Sequence, residues 1–258
     1  GRPILHEIGY PLMLNQLNRH LPVKGTYNVR DLGGYAARNG ETRWRRILRA
    51  DGLHRLDDAG MEALVAEGVT TVIDLRHADE LATQPNPFSA NPAVHYHNVS
   101  LFDRLAPVPA AGQDLLLDLY TLALGSRQPA IAQVLTIIAE APAGTVLFHC
   151  TAGKDRTGIV SALLLAVAGV EAALIVEDYA LTGPMIAPMI EEIVADAAAR
   201  GADVETFRPL LASDPATMAA TIAHLEATYG SAASYLERIG LAPALIARLH
   251  DRLVGEVA

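Results

Sequence analysis

Apolar positions along this chain follow two periods, one suited to helices and one to buried strands. After Asp57-Asp58, a good N-cap, Met61, Leu64 and Val65 recur at helical spacing, and Gly68 stops that helix before Thr70–Leu75 (TTVIDL), a buried strand. Arg46–Ala50 predicts a short strand ahead of it and His95–Val99 another behind it. Helices are expected around Asp114–Leu124 and Ala130–Ala141, and the compact apolar run Val146–His149 reads as the central strand. Gly158–Val176 is long enough to cross a bilayer. It carries Gly169 and Glu171 and follows Lys154-Asp155-Arg156, so it reads as a buried helix and the start of another. The C-terminal part is helical, with breaks at Gly183-Pro184, Gly201, Ser213–Pro215, Gly230 and Gly240–Pro243. After Pro184, the residues Ile186, Met189, Ile190, Ile193 and Val194 share one helix face, which either packs on the core or covers the mouth of a site. The first fifty residues are turn-rich, and Gly33-Gly34 marks a turn needing positive φ or close backbone approach. The pattern is that of an α/β protein, with no linker or repeat to divide it.

Composition narrows the function. At 258 residues, with 51% apolar and 19% charged side chains, the chain is globular rather than disordered, collagen-like or disulfide-built. It has 29 acidic against 20 basic residues, and the net charge of −9 disfavours nucleic acid and anionic membrane surfaces as partners. Any phosphate must therefore be held by a local site. The single cysteine, Cys150, excludes an internal disulfide, a CxxC redox pair and a multi-cysteine zinc site. No basic segment followed by an apolar one is readable at the N-terminus, so the cytoplasm is the expected compartment, with export left open.

The informative segment is His149–Gly158 (HCTAGKDRTG), between a buried strand and an apolar helix. It fits Cys-x5-Arg. Five residues between strand end and helix start can curl so that successive N–H groups face one point, a nest for a dianion at a helix N-terminus. Arg156 closes the ring with its bidentate fork. The same groups favour thiolate over thiol at Cys150, and a thiolate beside a bound phosphate can attack phosphorus. A nucleotide-binding P-loop fails on Phe148, where its first glycine should stand, and on Asp155, where a magnesium-binding hydroxyl should. An arsenate-reductase relay needs further cysteines. Inert packing of Cys150 is the bland alternative, and a phosphate-binding module without turnover is the rival from another class.

The motifs Asn28–Tyr35 (NVRDLGGY), Arg49–Leu56 (RADGLHRL), Thr71–Arg76 (TVIDLR), His149–Gly158, Thr228–Ser231 and Tyr235-Leu236 together resemble the cysteine-dependent protein tyrosine phosphatases. Within them, the resemblance is to the bacterial group typified by mycobacterial protein tyrosine phosphatase B, with the related atypical lipid phosphatases. It spans about residues 20–255, and the chain reads as a single domain over 1–258 with 1–24 as an N-terminal extension and, from its apolar face and Gly183-Pro184 hinge, about 184–212 as a candidate helical lid. The resemblance implies a phosphatase-type α/β fold, with a mostly parallel central sheet flanked by helices. It also implies a cofactor-free, metal-free two-step hydrolysis that releases inorganic phosphate. The implied substrates are phosphorylated protein, phosphotyrosine first with phosphoserine and phosphothreonine, and phosphoinositides; a dedicated phosphoinositide or inositol phosphate phosphatase is the runner-up.

The expected catalytic residues are Cys150, Asp155 and Arg156, and Thr151, Ala152, Gly153, Lys154, Arg156 and Thr157 are expected to bind phosphate; for Lys154 the resemblance implies contact with a second phosphate, with a solvated side chain as the alternative. No Trp-Pro-Asp loop is present, and the lone tryptophan, Trp44, lies in a basic cluster, Arg43–Arg46, that reads as a solvated face. The resemblance gives the general acid to Asp155, whereas position along the chain favours Asp103, after a strand and before a proline-bearing loop. Thr157 is placed to stabilise the thiolate or cap the helix, and His149 to orient the loop. Arg30, Asp31, Asp74 and Arg76 are supporting candidates, with buried ion pairing as the alternative. His95 and His97 alternate on a strand but lack a third zinc ligand.

Overall fold

The computed structural model describes residues 19–102 and 114–255. Five strands form the main sheet in the order β1–β4–β7–β5–β6. They are β1 (Arg30–Asp31), β4 (Ile47–Ala50), β5 (Val69–Asp74), β6 (His95–Asn98) and β7 (Thr145–His149), and β2 (Ala36–Ala37) pairs with β3 (Gly40–Glu41) in a small hairpin. β4, β7, β5 and β6 run parallel, and only β1 is antiparallel. The compact run read as the central strand is central here, between β4 and β5.

Alternation along these strands builds two apolar layers. Ile47, Ile73, Val146 and Phe148 face a large helical core, while Leu48, Val72 and Leu147 face a smaller one with Leu64, Phe88 and Val94. The smaller layer is covered by α1 (Asp58–Ala66), capped by Asp57 as its sequence position predicts. Truncating Leu147 to alanine in such a layer costs about 2–5 kcal/mol.

The larger layer holds α3 (Leu115–Ser126), α4 (Gln128–Glu140), α5 (Arg156–Val167), α6 (Ala172–Ala180), the short α8 (Val204–Phe207), α9 (Pro215–Tyr229), α10 (Ala232–Arg238) and α11 (Pro243–Val254). α5 is buried on nearly every face, which explains an apolar run with no amphipathic stripe. The apolar stretch beginning at Gly158 is this helix and the start of α6, as its composition implies.

Two local readings need revision, the helix break after α6 and the stretch following β5. The break expected at Gly183-Pro184 falls at Leu181, and both residues lie in the first turn of α7 (Thr182–Ala199), where a proline costs no helical hydrogen bond. The run Ala172–Ala199 has the length and hydropathy of a membrane span, but it is two helices that bury Ile175, Tyr179, Ile186, Met189 and Val194. A short helix, α2 (Ala78–Thr83), follows β5 unforeseen, because its capping box opens with His77 instead of a hydroxyl residue. The glycine pair meets both of its expected conditions: Gly34 has φ +81°, and a Cβ on Gly33 would lie 2.6 Å from Trp44 Cα.

Registers Ala50↔His149 and Asp74↔His149 bring the carboxyl ends of β4, β7 and β5 level. In an open parallel sheet, ligands bind outside those ends. Cys150 is the next residue.

Candidate active site

The loop from Cys150 to Asp155 leaves β7 and enters α5 at Arg156. None of the backbone N–H groups of residues 151–156 donates to an acceptor among the described residues, so the turn carries a set of free donors at a helix N-terminus. Gly153 makes the curl feasible: it sits at φ +69°, and a Cβ there would meet Ala50 O at 2.7 Å and Asn28 Nδ2 at 2.9 Å. Cys150 is buried against the core, and its Sγ accepts a hydrogen bond from Thr157 Oγ1 at 3.1 Å.

Arg156 is gripped end-on. Its Nη1 and Nη2 donate to the two carboxylate oxygens of Glu80 at 2.6 and 2.8 Å, and Nη1 also donates to Phe102 O at 3.2 Å. The Nε–H has no partner among the described residues and the second Nη2–H reaches only Thr151 Oγ1, at a long 3.5 Å, so the Nε/Nη2 edge is the one that can turn to an anion as a fork. Glu80 also accepts from Thr151 Oγ1 at 2.7 Å and from the His77 N–H at 2.8 Å. Burial alone would raise the Glu80 carboxyl, but Arg156 outweighs it and holds it at about 2. Burial lowers His149. Its Nδ1 donates to Cys150 O at 2.9 Å while Nε2 lies 2.9 Å from Asn86 Nδ2, an arrangement that fits the neutral imidazole protonated on Nδ1.

A cavity of about 170 Å³ opens over this loop. Cys150, Thr151, Ala152, Asp155 and Arg156 line it with Glu80. Its mouth is walled by Met189 and Ile193 of α7 and by Phe207 and Leu211 beyond it. The apolar face of α7 thus does both things its sequence allows, packing on the core with Ile186 and Val194 and lining the site. The Asp155 Oδ1 accepts from Lys154 Nζ at 2.7 Å and from Tyr120 OH, and Tyr120 and Tyr179 join hydroxyls at 2.9 Å.

Several expected residues stand elsewhere. Lys154 is fully buried, and its three donors go to Asp155, Leu210 O and Ala212 O, which leaves none for a second phosphate. It ties the wall at 208–212 to the loop. Asp31 accepts from the Gly33 and Arg45 N–H groups and from Arg45 Nη1, a turn-stabilising role away from the cavity. Asp74 is taken up by Arg76, Asn86 and Tyr96. Arg30 lies behind the loop, on Asn28 Oδ1 and Asp178 O. Asp103 lies outside the described residues. Among the described residues, no three histidine, cysteine or acidic side chains gather into a metal-binding group.

Sequence reasoning missed Glu80, Tyr120 and the backing residues Asn28 and Arg49. Glu80 left one signal, the H-x-x-E spacing after TVIDLR, and Tyr120 left none beyond its place on an apolar helix.

The comparisons agree with this geometry. A sequence profile described as the tyrosine phosphatase family matches residues 21–255. A tyrosine-protein phosphatase of Nostoc commune is 38% identical over 217 residues, covering 80% of this chain and 74% of that one. The triple specificity protein phosphatase PtpB of Mycobacterium tuberculosis is 30% identical over 281 aligned positions, covering 92% of this chain and 99% of that one. Profile and relatives extend far beyond the loop that first suggested the chemistry, and the chain belongs to the tyrosine phosphatase family.

Proposed function

We propose that the protein hydrolyses phosphomonoesters through a phosphocysteine, with phosphotyrosine in proteins as its first substrate and without a metal. The observation that carries this reading is the meeting of the Cys150 sulfur, held by Thr157, with the unspent N–H groups of 151–156 and the free edge of Arg156. In the first step the Cys150 thiolate attacks phosphorus, the bond to the leaving oxygen breaks, and Asp155 gives that oxygen its proton. With Oδ1 occupied by Lys154 and Tyr120, the proton travels on Oδ2. In the second step water attacks phosphorus and gives its proton to Asp155, and the S–P bond breaks, restoring the thiolate and releasing phosphate. The loop N–H groups and Arg156 hold the equatorial oxygens, where transition-state charge spreads.

The mouth favours a phosphate carried on an apolar ring. Met189, Ile193, Phe207 and Leu211 offer such a ring contact, while the cations there are matched: Arg55 pairs with Glu192 and Arg200 with Asp196. A polyanionic inositol headgroup gains little from cations already paired. Phosphoserine, phosphothreonine and phosphoinositides are expected to be slower substrates.

The test is a panel of phosphopeptides and phosphoinositides assayed with and without a chelator. Cys150→Ser is expected to abolish turnover and still retain phosphotyrosyl peptide, because the nest survives loss of the nucleophile. Residual turnover in purified Cys150→Ser, or activity lost to the chelator and restored by a divalent ion, overturns the mechanism. Faster turnover of phosphoinositides than of phosphotyrosyl peptides overturns the substrate ranking.

A further inference from the structure

Four consecutive carbonyls around the loop are engaged on its outer side. Cys150 O is met by His149 Nδ1 at 2.9 Å and Thr151 O by the Gly52 N–H at 2.9 Å. Ala152 O accepts from Asn28 Nδ2 at 3.1 Å. Gly153 O accepts from Arg49 Nη2 at 2.7 Å and from Asn28 Nδ2 at 3.3 Å. A trans peptide is planar, with its C=O and the following N–H opposed. Each held carbonyl therefore turns the next N–H, of residues 151 to 154, away from the backing and toward the cavity.

His149 and Gly52 do this locally, one as the neighbour of the nucleophile and the other through backbone. The remaining two holders are side chains brought from far along the chain. We propose that Asn28 and Arg49 are positioning residues of the phosphate-binding loop, fixing the N–H groups of Gly153 and Lys154 in the orientation that receives the phosphoryl oxygens. The inference rests on the reading of this loop as the phosphoryl site.

The bracket is itself anchored. Both side chains are fully buried, and Arg49 Nη1 donates to Asp178 Oδ2 of α6 at 2.6 Å. Asn28 gives its own N–H to Asp51 Oδ1 at 2.8 Å and receives Arg30 on its Oδ1. Arg30 in turn donates to Asp178 O at 2.8 Å. Arg30 Nη2 also lies 3.9 Å from the Asp178 Oδ2 that Arg49 bonds, so two guanidinium groups stand against one carboxylate behind the loop and leave positive charge on the side opposite an incoming dianion. Burial, then the neighbouring Arg49 charge, lowers Arg30 to about 9, which leaves it protonated at neutral pH.

Arg49→Lys and Asn28→Ala separate positioning from bulk stability. Lysine keeps the charge but replaces the planar fork, whose two nitrogens hold Asp178 and Gly153 O separately, by a single point donor, and alanine removes the donor to both carbonyls. The readouts are inhibition by vanadate, the pH midpoint of Cys150 alkylation by iodoacetamide, and the melting temperature. Each variant is expected to weaken vanadate inhibition on the order of tenfold or more and to raise the alkylation midpoint. A merely structural role lowers the melting temperature alone, so folded variants with unchanged vanadate inhibition and midpoint overturn the proposal. Should one variant fail to fold, the other decides. Failure of the unsubstituted protein to bind vanadate or hydrolyse an aryl phosphate counts against the phosphatase reading instead.

Discussion

The pair between Glu80 and Arg156 makes a quantitative prediction. Glu80→Gln keeps the volume of the side chain and one accepting oxygen but turns an amide donor against a guanidinium donor. One of two charge-assisted bonds, at 2.6 and 2.8 Å, is therefore lost. A hydrogen bond to a charged group contributes about 1.5–3 kcal/mol. If that loss appears wholly in the transition state, where Arg156 must hold the equatorial oxygens, kcat/KM falls roughly 10- to 150-fold. A bound dianion itself helps to orient the guanidinium, so the lower end is expected for tightly held substrates.

The assay is kcat/KM for an aryl phosphate, alongside the melting temperature. Glu80 is held at about 2, so Glu80 contributes no limb to the activity profile in the neutral range. Its depressed value gives stability that is complete above the unfolded carboxyl's 4.5 and is lost as pH falls toward about 2. Glu80→Gln should accordingly lower the melting temperature at neutral pH and narrow its gap to the parent in acid. Unchanged or increased kcat/KM in folded Glu80→Gln would show that the loop alone aims Arg156, and the reasoning fails.

Two further outcomes follow from the buried titrating groups and from the proposed acid. Burial lowers His20, His97, His149 and His54, the last to about 4, so below about pH 6.5 the unfolded chain binds protons that the native one refuses. Asp51, pushed up to about 6 by burial, works in the opposite direction as pH falls through that value. Four groups against one predict a denaturation midpoint that declines from pH 7 to 5, and a flat or rising midpoint contradicts it. Asp155→Asn should slow an alkyl phosphate far more than a phenyl phosphate, because a phenolate departs unprotonated; equal loss on both moves the acid elsewhere, with Asp103→Asn as the next variant to measure.

What could be read in advance was whatever short-range spacing encodes. Val146–His149 announces a central strand because apolar residues cluster without interruption, and the Cys150-to-Arg156 offset announces a phosphate nest because the curl needs those residues consecutively. The edge strand β1 and the hairpin β2–β3, two residues to a strand, carry no period long enough to detect. Lys154 was misplaced for a related reason. Loop position suggests an exposed cation, and only the fold reveals the carbonyls of Leu210 and Ala212, more than fifty residues on, that consume its donors. Glu80 and Tyr120 likewise gain their meaning from partners distant in sequence.

These distant partners also explain how a chain of net charge −9 can receive a dianion. Around the loop stand four cations, Lys154, Arg156, Arg49 and Arg30, each paired with Asp155, Glu80 or Asp178; with Asp155 carrying the proton it is proposed to donate, the anions facing them are three, Glu80, Asp178 and the Cys150 thiolate. Four minus three leaves one net positive charge, too little to draw substrate from solution against the field of the whole protein. The carboxylates serve instead to hold each cation in one place, which turns flexible charges into fixed directions. Attraction then comes from N–H groups already aimed at one point and from the free edge of Arg156, neither of which must reorganise when the phosphoryl group arrives. The acidity of the surface is compatible with this site because the site works by orientation at contact distance, where its donors need not compete with charges many ångströms away.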